Sequence, residues 1–187
     1  MRKHSQLQVL TMAALFSALT VAGAYIKIPL PPVPLTLQTM MVYLSGLVLG
    51  GRAGALSQAM YLLLGLVGLP IFASGGGPAY ILSPTFGYLV AFAPASLVVG
   101  FLVRRLKGRA RILSIVAGML VVYSIGVGYL YFSMNILLDK PMSVYDAVRV
   151  GFLITAPGEI LKGAVCWMCY ASLERRFDLP LFGGGHD

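Results

Sequence analysis

The sequence predicts an all-α integral membrane protein: a single transmembrane domain over residues 1–187, formed by a bundle of about six transmembrane helices with both termini in the cytoplasm. Of the 187 residues, 58% are hydrophobic and only 11% are charged, and the mean hydropathy is +0.86. A soluble domain carries about 25% charged residues. Because so few charges are available to cover a water-exposed surface, the composition excludes a soluble enzyme and indicates a chain that lies in the bilayer.

Six apolar stretches, separated by loop-forming residues, account for the predicted helices. Prolines and glycines mark the two main loops, at 29–34 and 70–78, because proline ends a helix and clustered glycine favours turns. About 20 apolar residues are enough to cross a hydrocarbon core of roughly 30 Å. The predicted spans cover residues 7–28, 37–49, 53–69, 85–103, 112–132 and 157–173, and a short amphipathic helix over 144–152 precedes the last of them.

The second predicted span is short. As a helix, residues 37–49 reach about 20 Å, which is less than a full crossing. We expect this span either to begin inside the proline-rich loop or to lie where the fold is locally thin.

The basic residues are distributed unequally between the two sides of the predicted membrane. Fourteen Lys and Arg against six Asp and Glu give a net charge of +8. The excess of Lys and Arg on the side of the predicted termini follows the positive-inside rule and predicts that the termini are cytoplasmic. Because the charges lie in short loops beside apolar spans, the pattern disfavours nucleic-acid binding, which needs a soluble basic face. On the side of the termini lie Arg2, Lys3, Arg52, Arg104, Arg105, Lys107, Arg109, Arg111, Arg175 and Arg176, on the other side lie Lys27, Lys140 and Arg149, and Lys162 lies within the last span.

An acidic and a basic residue stand together inside the last apolar span. Glu159 and Lys162 are three residues apart, so a helix projects them from one face. Ionisable groups at this depth are costly and usually face a bundle interior or a wet cavity. The pair therefore predicts a ligand site open to the outside, with Glu159 in the first turn, where the helix dipole favours a carboxylate. The alternative is an ion pair that only locks the last helix to its neighbours.

The two main loops are predicted on the same outer side as this pair. Prolines stiffen the loop at 29–34, and Gly75, Gly76 and Gly77 allow close backbone approach in the other. We predict that the two loops together form a lid over a pocket. Ordinary connections between helices are the alternative. The tyrosines nearest to these loops are Tyr61, Tyr80 and Tyr88.

Small residues recur at four-residue spacing in the first span, at Ala14, Ala18 and Ala22. Such a face lets a second helix approach closely. The sequence supports two hypotheses equally: docking of a partner membrane protein, and packing within this chain.

Two cysteines and two histidines are the remaining candidates for metal or redox chemistry. Cys166 and Cys169 have C-x-x-C spacing, but they lie one turn apart in a membrane span, and His4 and His186 lie at the chain ends. We therefore expect packing residues and no metal site. The sequence has no phosphate-binding loop, G-x-S-x-G elbow or H-E-x-x-H site, so ATP hydrolysis by the chain itself is not predicted.

Four segments, in order along most of the chain, carry a family resemblance: IPLPPVPLTLQT at 28–39, YLLLGLVGLPIFA at 61–73, SPTFGYL at 83–89 and PGEILK at 157–162. They resemble the BioY family, the biotin-specific substrate-binding (S) components of energy-coupling factor (ECF) transporters. Two positions depart from the family pattern. The family often has an aspartate where Glu159 stands, and it often has Gly-Pro-Thr-Gly-Gly-Tyr where this chain has residues 83–88.

The resemblance implies a six-helix bundle that captures biotin from the outside and passes it inward with a transmembrane coupling protein and a pair of ATPases. The chain would then lie among the lipids of a bacterial-type plasma membrane and need no cofactor, since ATP is used by the partner subunits. The alanine ladder resembles the surface by which such components meet their partner. The residues predicted to bind the ligand are Glu159, Lys162, Thr36, Gln38, Tyr61, Gly75, Gly76 and Tyr88.

Three alternative functions remain at this point. The nearest is an S component for another vitamin, such as riboflavin or thiamin. The others are an intramembrane enzyme that uses Glu159 as an acid or base, and a purely structural subunit of a membrane assembly.

Overall fold

The computed structural model describes residues 6–177 and 179, most of which are helical. Among the residues discussed above, Arg2, Lys3, His4 and His186 lie outside the described residues. The helices are α1 (Gln6–Tyr25), α2 (Gln38–Leu49), α3 (Gly51–Leu66), α4 (Phe86–Arg105), α5 (Ile112–Phe132), α6 (Val144–Val148) and α7 (Ala156–Glu174). A π-helical turn, Ser133–Leu137, extends α5, and a second one, Arg149–Leu153, leads from α6 towards α7.

Four helical stretches are long and apolar enough to cross a membrane, which agrees with the predicted helical membrane protein. They are Gln6–Tyr25, Phe86–Arg105, Gly108–Leu137 and Val144–Glu174. The last stretch combines the predicted short helix over 144–152 with the predicted last span, because α6, the π-helical turn and α7 follow one another almost without a break. By itself α7 begins at Ala156, one residue before the predicted start. The predicted short span is also present, since α2 has 12 residues and reaches about 18 Å.

A short β-hairpin, which the sequence analysis did not predict, forms around the proline-rich loop of this otherwise helical chain. Strand β1 (Lys27–Ile28) pairs antiparallel with β2 (Leu35–Thr36), and Lys27 lies opposite Thr36. Proline has no N–H group to donate to a strand ladder, and all the prolines of this loop lie between the two strands. The hairpin ends at Leu37, whose N–H group donates to the carbonyl oxygens at the end of α1.

The hairpin contacts the second loop at one end of the bundle. The Tyr25 hydroxyl donates to the Pro70 carbonyl oxygen at 2.5 Å, and Lys27 Nζ donates to the carbonyl oxygen of Ala73. Phe72 and Gly75 pair in a tight turn, after which a 3₁₀ turn, Pro78–Leu82, leads into α4. The two loops that the sequence places on one side are therefore joined to each other.

The alanine face of α1 is not used for packing within the described chain. Ala14, Ala18 and Ala22 are all exposed, whereas the opposite face of α1 is buried against α2 and α3 through residues such as Phe16 and Thr20. Of the two hypotheses for this face, packing within the chain loses its support.

Glycines let α3 and α4 approach each other closely. A methyl group added at Gly54 would lie 2.4 Å from Ser96 Oγ, and one added at Gly100 would lie 2.1 Å from the backbone nitrogen of Gly51. Real Cβ atoms do not come this close to backbone, so the helices must move apart to admit a side chain. Gly100 is therefore fixed by packing between two backbones.

We predict that Gly100→Ala destabilises the protein by about 1–3 kcal/mol, the usual cost of overpacking a core. SDS titration of the folded protein in mixed micelles measures this change. The matched control is Gly128→Ala, because Gly128 also lies in a membrane helix but no atom lies within 4 Å of the added methyl group. Its stability should be unchanged or higher, since alanine is the better helix former. Equal stability of Gly100→Ala and the parent would contradict the packing described here.

Candidate functional site

Glu159 and Lys162 form a buried ion pair near the start of α7. Lys162 Nζ lies 2.6 Å from Glu159 Oε2, and the two residues are 7% and 3% exposed. Pro157 stands in the first turn, where proline is tolerated because the N–H group it lacks would have no helical partner. The helix thus starts just before Glu159 and holds both charges on one face, as the spacing predicts.

Lys162 also binds the hairpin and α2. Its Nζ donates to the carbonyl oxygen of Thr36 at 2.8 Å and to Thr39 Oγ1 at 2.6 Å. Together with Glu159 these groups place three acceptor oxygens within hydrogen-bonding distance of the ammonium group. The lysine therefore connects α7 to the loop that covers this end of the bundle.

Two tyrosines complete the surroundings of Glu159. The Tyr43 hydroxyl, on α2, donates to Oε1 at 2.8 Å, and the Tyr123 hydroxyl, on α5, lies 3.4 Å from Oε2. Tyr123 also shares a hydrogen bond of 3.0 Å with Thr155 Oγ1. Among the described residues, no buried side-chain nitrogen or oxygen lacks a hydrogen-bond partner. The charge pair is thus held in a complete polar network, the condition under which buried charges are tolerated.

A cavity opens beside this network, beneath the hairpin and the second loop. Counted out to its mouth, and including the open space there, the empty volume is about 550 Å³. The polar groups lie together on one part of its wall, and aromatic and aliphatic side chains form the rest. The aromatic and aliphatic lining includes Val33, Leu35, Tyr80, Tyr88, Leu89, Phe92, Val122 and Tyr123.

Five of the eight residues predicted to bind ligand line this cavity: Glu159, Lys162, Thr36, Gln38 and Tyr88. Tyr61 lies behind the wall instead. Its hydroxyl accepts a hydrogen bond from Gln38 Nε2 at 2.6 Å and donates to the Ile71 carbonyl oxygen at 3.1 Å. Tyr61 therefore orients Gln38 and fastens the second loop.

Gly75 and Gly76 are not part of the cavity wall. Gly75 has a φ of 120°, a conformation that side chains rarely adopt, and it pairs with Phe72 in the turn. A methyl group at Gly76 would lie 2.0 Å from the Leu69 carbonyl oxygen. The two glycines shape the loop, and Ala73 is the residue of this turn that reaches the cavity.

Tyr88 is held in place by glycines on both sides. Methyl groups added at Gly126 and Gly151 would lie 2.3 Å from its ring and 2.6 Å from its hydroxyl oxygen. The Tyr88 hydroxyl donates to the Gly151 carbonyl oxygen at 2.9 Å, within the π-helical turn. The turn therefore serves to position a residue of the cavity wall, which agrees with the frequent occurrence of such turns at functional sites.

The sequence reasoning missed Tyr43, Thr39 and Tyr123, which contact the charge pair. Thr39 and Tyr43 are four residues apart, so both lie on one face of α2. This spacing of polar side chains in an apolar span was the available signal for them. Tyr123 lies in the middle of an apolar span, too deep for a tyrosine that anchors at the membrane interface.

The cysteines belong to the packing of α7. Cys166 is buried, and its thiol lies 3.8 Å from the carbonyl oxygen of Met40. Within residues 6–177 and 179, no three His, Cys, Asp or Glu side chains are grouped so that they could hold a metal ion.

This arrangement suits a small molecule with polar groups at defined positions and an apolar body. The carboxylate of Glu159 accepts hydrogen bonds, the ammonium of Lys162 donates them, and hydroxyl groups do either. Bonds to ionised groups are the stronger ones, and they fix the orientation of a ligand. The apolar part of the wall can bury rings and alkyl chains.

We predict that Tyr43→Phe lowers the stability of the protein by about 1–3 kcal/mol, because the buried Glu159 Oε1 loses its donor. SDS titration in mixed micelles measures the change. Tyr131→Phe is the matched control, since Tyr131 is 40% exposed on α5. A Tyr43→Phe variant as stable as this control would show that the hydroxyl does not support the carboxylate.

Comparison with known proteins identifies the family. A sequence model described as the BioY family matches residues 1–179. The chain belongs to the BioY family. The resemblance carried by the four segments is thereby confirmed, and it extends over nearly the whole chain.

Individual BioY proteins support the same assignment. The chain is 46% identical to the probable biotin transporter BioY of Lysinibacillus sphaericus over 156 residues, which cover 82% of this chain and 80% of that protein. It is 42% identical to the biotin transporter BioY of Thermotoga maritima over 168 residues, which cover 89% of this chain and 95% of that protein.

A solved transporter component shares the fold. The crystal structure of the S-component for biotin from an ECF-type ABC transporter superposes with a TM-score of 0.84 at 26% sequence identity. The match covers 97% of this chain and the whole of that one. The bundle described above is therefore the fold of a membrane-embedded transporter component.

Proposed function

We propose that this chain is the biotin-binding S component of an ECF-type transporter. It captures biotin from the outside and delivers it inward together with a transmembrane coupling protein and ATPase subunits. The observation that carries this proposal is the Glu159–Lys162 network at the wall of a cavity beneath two joined loops, in a chain of the BioY family.

The chemistry of biotin matches the cavity. Biotin has a ureido ring with two N–H donors and one carbonyl acceptor, an apolar thioether ring, and a valerate chain that ends in a carboxylate. Glu159 can accept the ureido N–H groups, and Lys162 can donate to the carbonyl or pair with the carboxylate. Side chains such as Phe92 and Leu89 supply an apolar surface for the ring and the alkyl chain.

The proposed topology has six spans in a bacterial-type plasma membrane, with both termini in the cytoplasm. Four stretches of spanning length, together with α2 and α3, make up the six. The excess of Lys and Arg on the side of the termini supports this orientation through the positive-inside rule. The hairpin and the second loop then face the outside, where the ligand arrives.

The partner surface is the alanine face of α1. Ala14, Ala18 and Ala22 are exposed along one side of a membrane helix, where small residues let another helix approach closely. ATP is hydrolysed by the ATPase subunits, and no cofactor is assigned to this chain.

Competition with other vitamins tests the proposed ligand. The purified chain in detergent is equilibrated with labelled biotin, and excess riboflavin, thiamin or unlabelled biotin is added. We expect that only unlabelled biotin displaces the label. Displacement by riboflavin or thiamin would assign the chain to another vitamin. The chain is a transporter component and not an intramembrane enzyme, since it belongs to the BioY family.

A further inference from the structure

A second, larger depression lies on the side of the bundle, between α5 and the α6–α7 stretch. It is separate from the loop-covered mouth of the ligand cavity, and its lining is almost entirely apolar. From α5 the lining residues recur at helical spacing, and the facing helix supplies a second stripe. We call the whole depression the lateral groove. Its α5 stripe comprises Val116, Met119, Leu120, Tyr123, Ser124, Val127 and Gly128.

The lateral groove is open towards the surroundings of the bundle. Leu120 and Ile160, on its two rims, are 63% and 68% exposed. Both helical stretches are long and apolar enough to span a membrane. The medium next to these side chains is therefore the hydrocarbon of the bilayer.

The dimensions of the lateral groove fit a hydrocarbon chain. From Val116 to Gly128 it follows α5 for about 18 Å, close to the roughly 15 Å of hydrocarbon in one leaflet. Its volume is about 950 Å³ counted out to the open side.

Gly128 keeps one end of the lateral groove open. A glycine within a helix is less favourable than alanine by roughly 0.5–1 kcal/mol. Gly126, two residues away, is required by its contact with Tyr88, but nothing lies within 4 Å of a methyl group built on Gly128. Packing within the chain does not require this glycine, and the missing side chain leaves open space in the groove.

A cation stands at the same end. Val148 lines the lateral groove opposite Gly128, and the next residue, Arg149, is exposed. An arginine at this position complements the phosphate of a lipid whose acyl chain enters the groove.

We propose that the lateral groove is a binding site for a glycerophospholipid, with one acyl chain between α5 and α7 and the phosphate near Arg149. Tyr123 and Glu159 line both this groove and the ligand cavity. The acyl chain therefore covers the membrane side of the wall that holds the charge pair.

Filling the lateral groove with a side chain tests the proposal. The parent and Gly128→Phe are reconstituted in nanodiscs of palmitoyl-oleoyl phosphatidylglycerol, and native mass spectrometry counts the lipids that stay bound on release. We expect the variant to retain one lipid fewer than the parent. Ser124→Leu fills the same groove one turn away and is expected to have the same effect, so that a failure of Gly128→Phe to fold leaves the test intact.

Ile125→Phe is the matched control, because Ile125 is 38% exposed on α5 but does not line the lateral groove. An unchanged lipid count in the groove variants, or an equal loss in this control, would overturn the proposal. If the groove variants bind as many lipids as the parent but no longer assemble with the coupling protein, the lateral groove binds a partner helix and not a lipid. Biotin titration of the same samples separates this test from the proposed function, since the lipid count does not depend on vitamin binding.

Discussion

Replacing Lys162 with alanine is expected to weaken biotin binding at least tenfold. In the folded protein the Lys162 ammonium touches Glu159, Thr36 and Thr39 and lies at the cavity wall. Its removal leaves a buried carboxylate without its cation and removes a charged donor from the site, and each lost partner of a buried polar group costs about 1–3 kcal/mol. Isothermal titration of the purified variant with biotin measures the loss. We expect Glu159→Ala to have an effect of the same size.

A double variant separates binding from stability. Removing one member of a buried ion pair costs about 3–5 kcal/mol of stability, whereas replacing both members with uncharged groups of similar volume is often nearly neutral. Glu159→Gln combined with Lys162→Met is therefore expected to unfold close to the parent in SDS titration and still to bind biotin poorly. If this double variant bound biotin like the parent, the pair would serve only to lock the last helix in place.

Replacing Ala14 or Ala18 with tryptophan is expected to abolish assembly with the coupling protein while leaving biotin affinity unchanged. Both alanines are exposed on α1, away from the cavity, so a large side chain is tolerated within the chain. A helix docked on small residues has no room for an indole ring. Co-purification of the coupling protein with the tagged variant measures assembly, and titration with biotin measures binding.

The matched control for this experiment is Leu113→Trp, since Leu113 is 54% exposed on a different helix. It should assemble and bind like the parent. Equal loss of assembly and of biotin binding in the α1 variants would point instead to packing of the alanine face within the chain.

The charge pair was predictable from sequence because charges are rare in this chain. With only 11% charged residues, Glu159 and Lys162 stand out in an apolar span, and their spacing fixes them on one face. The helices were predictable for a similar reason, since composition and length are enough to recognise a membrane span.

The partners of the pair were not predictable in the same way. Tyr43 and Glu159 are 116 residues apart in the chain, and their contact depends on how α2 packs against α7. The spacing and depth of Tyr43 and Tyr123 indicate that they face the interior of the bundle, but they do not indicate which residue on another helix each one contacts.

Short or irregular elements were missed because they leave little periodic pattern. Strands β1 and β2 have two residues each, too few for an alternating pattern to show. The start of the last helix was predicted to within one residue, since Pro157 lies in the first turn of α7, where proline is tolerated. The π-helical turn around Gly151 was not predicted, because it leaves no signal distinct from an ordinary helix.

The glycines Gly75 and Gly76 reveal the backbone conformation of the second loop but not which of its residues lines the cavity. A run of glycines indicates that a loop needs unusual backbone angles or close approach, and both are present here. It does not indicate which residue of the loop lines the cavity. That residue is Ala73, whose small apolar side chain gives no signal of its own.

The central claim, that the Glu159–Lys162 cavity holds biotin, is tested most directly by identifying the small molecule that the purified chain carries. The protein is expressed in cells supplied with biotin, purified in detergent, denatured, and the released compounds are identified by mass spectrometry. We expect about one biotin per chain from the parent and a strongly reduced amount from Lys162→Ala. Release of a different vitamin, or of equal amounts of biotin from the parent and Lys162→Ala, would contradict the account.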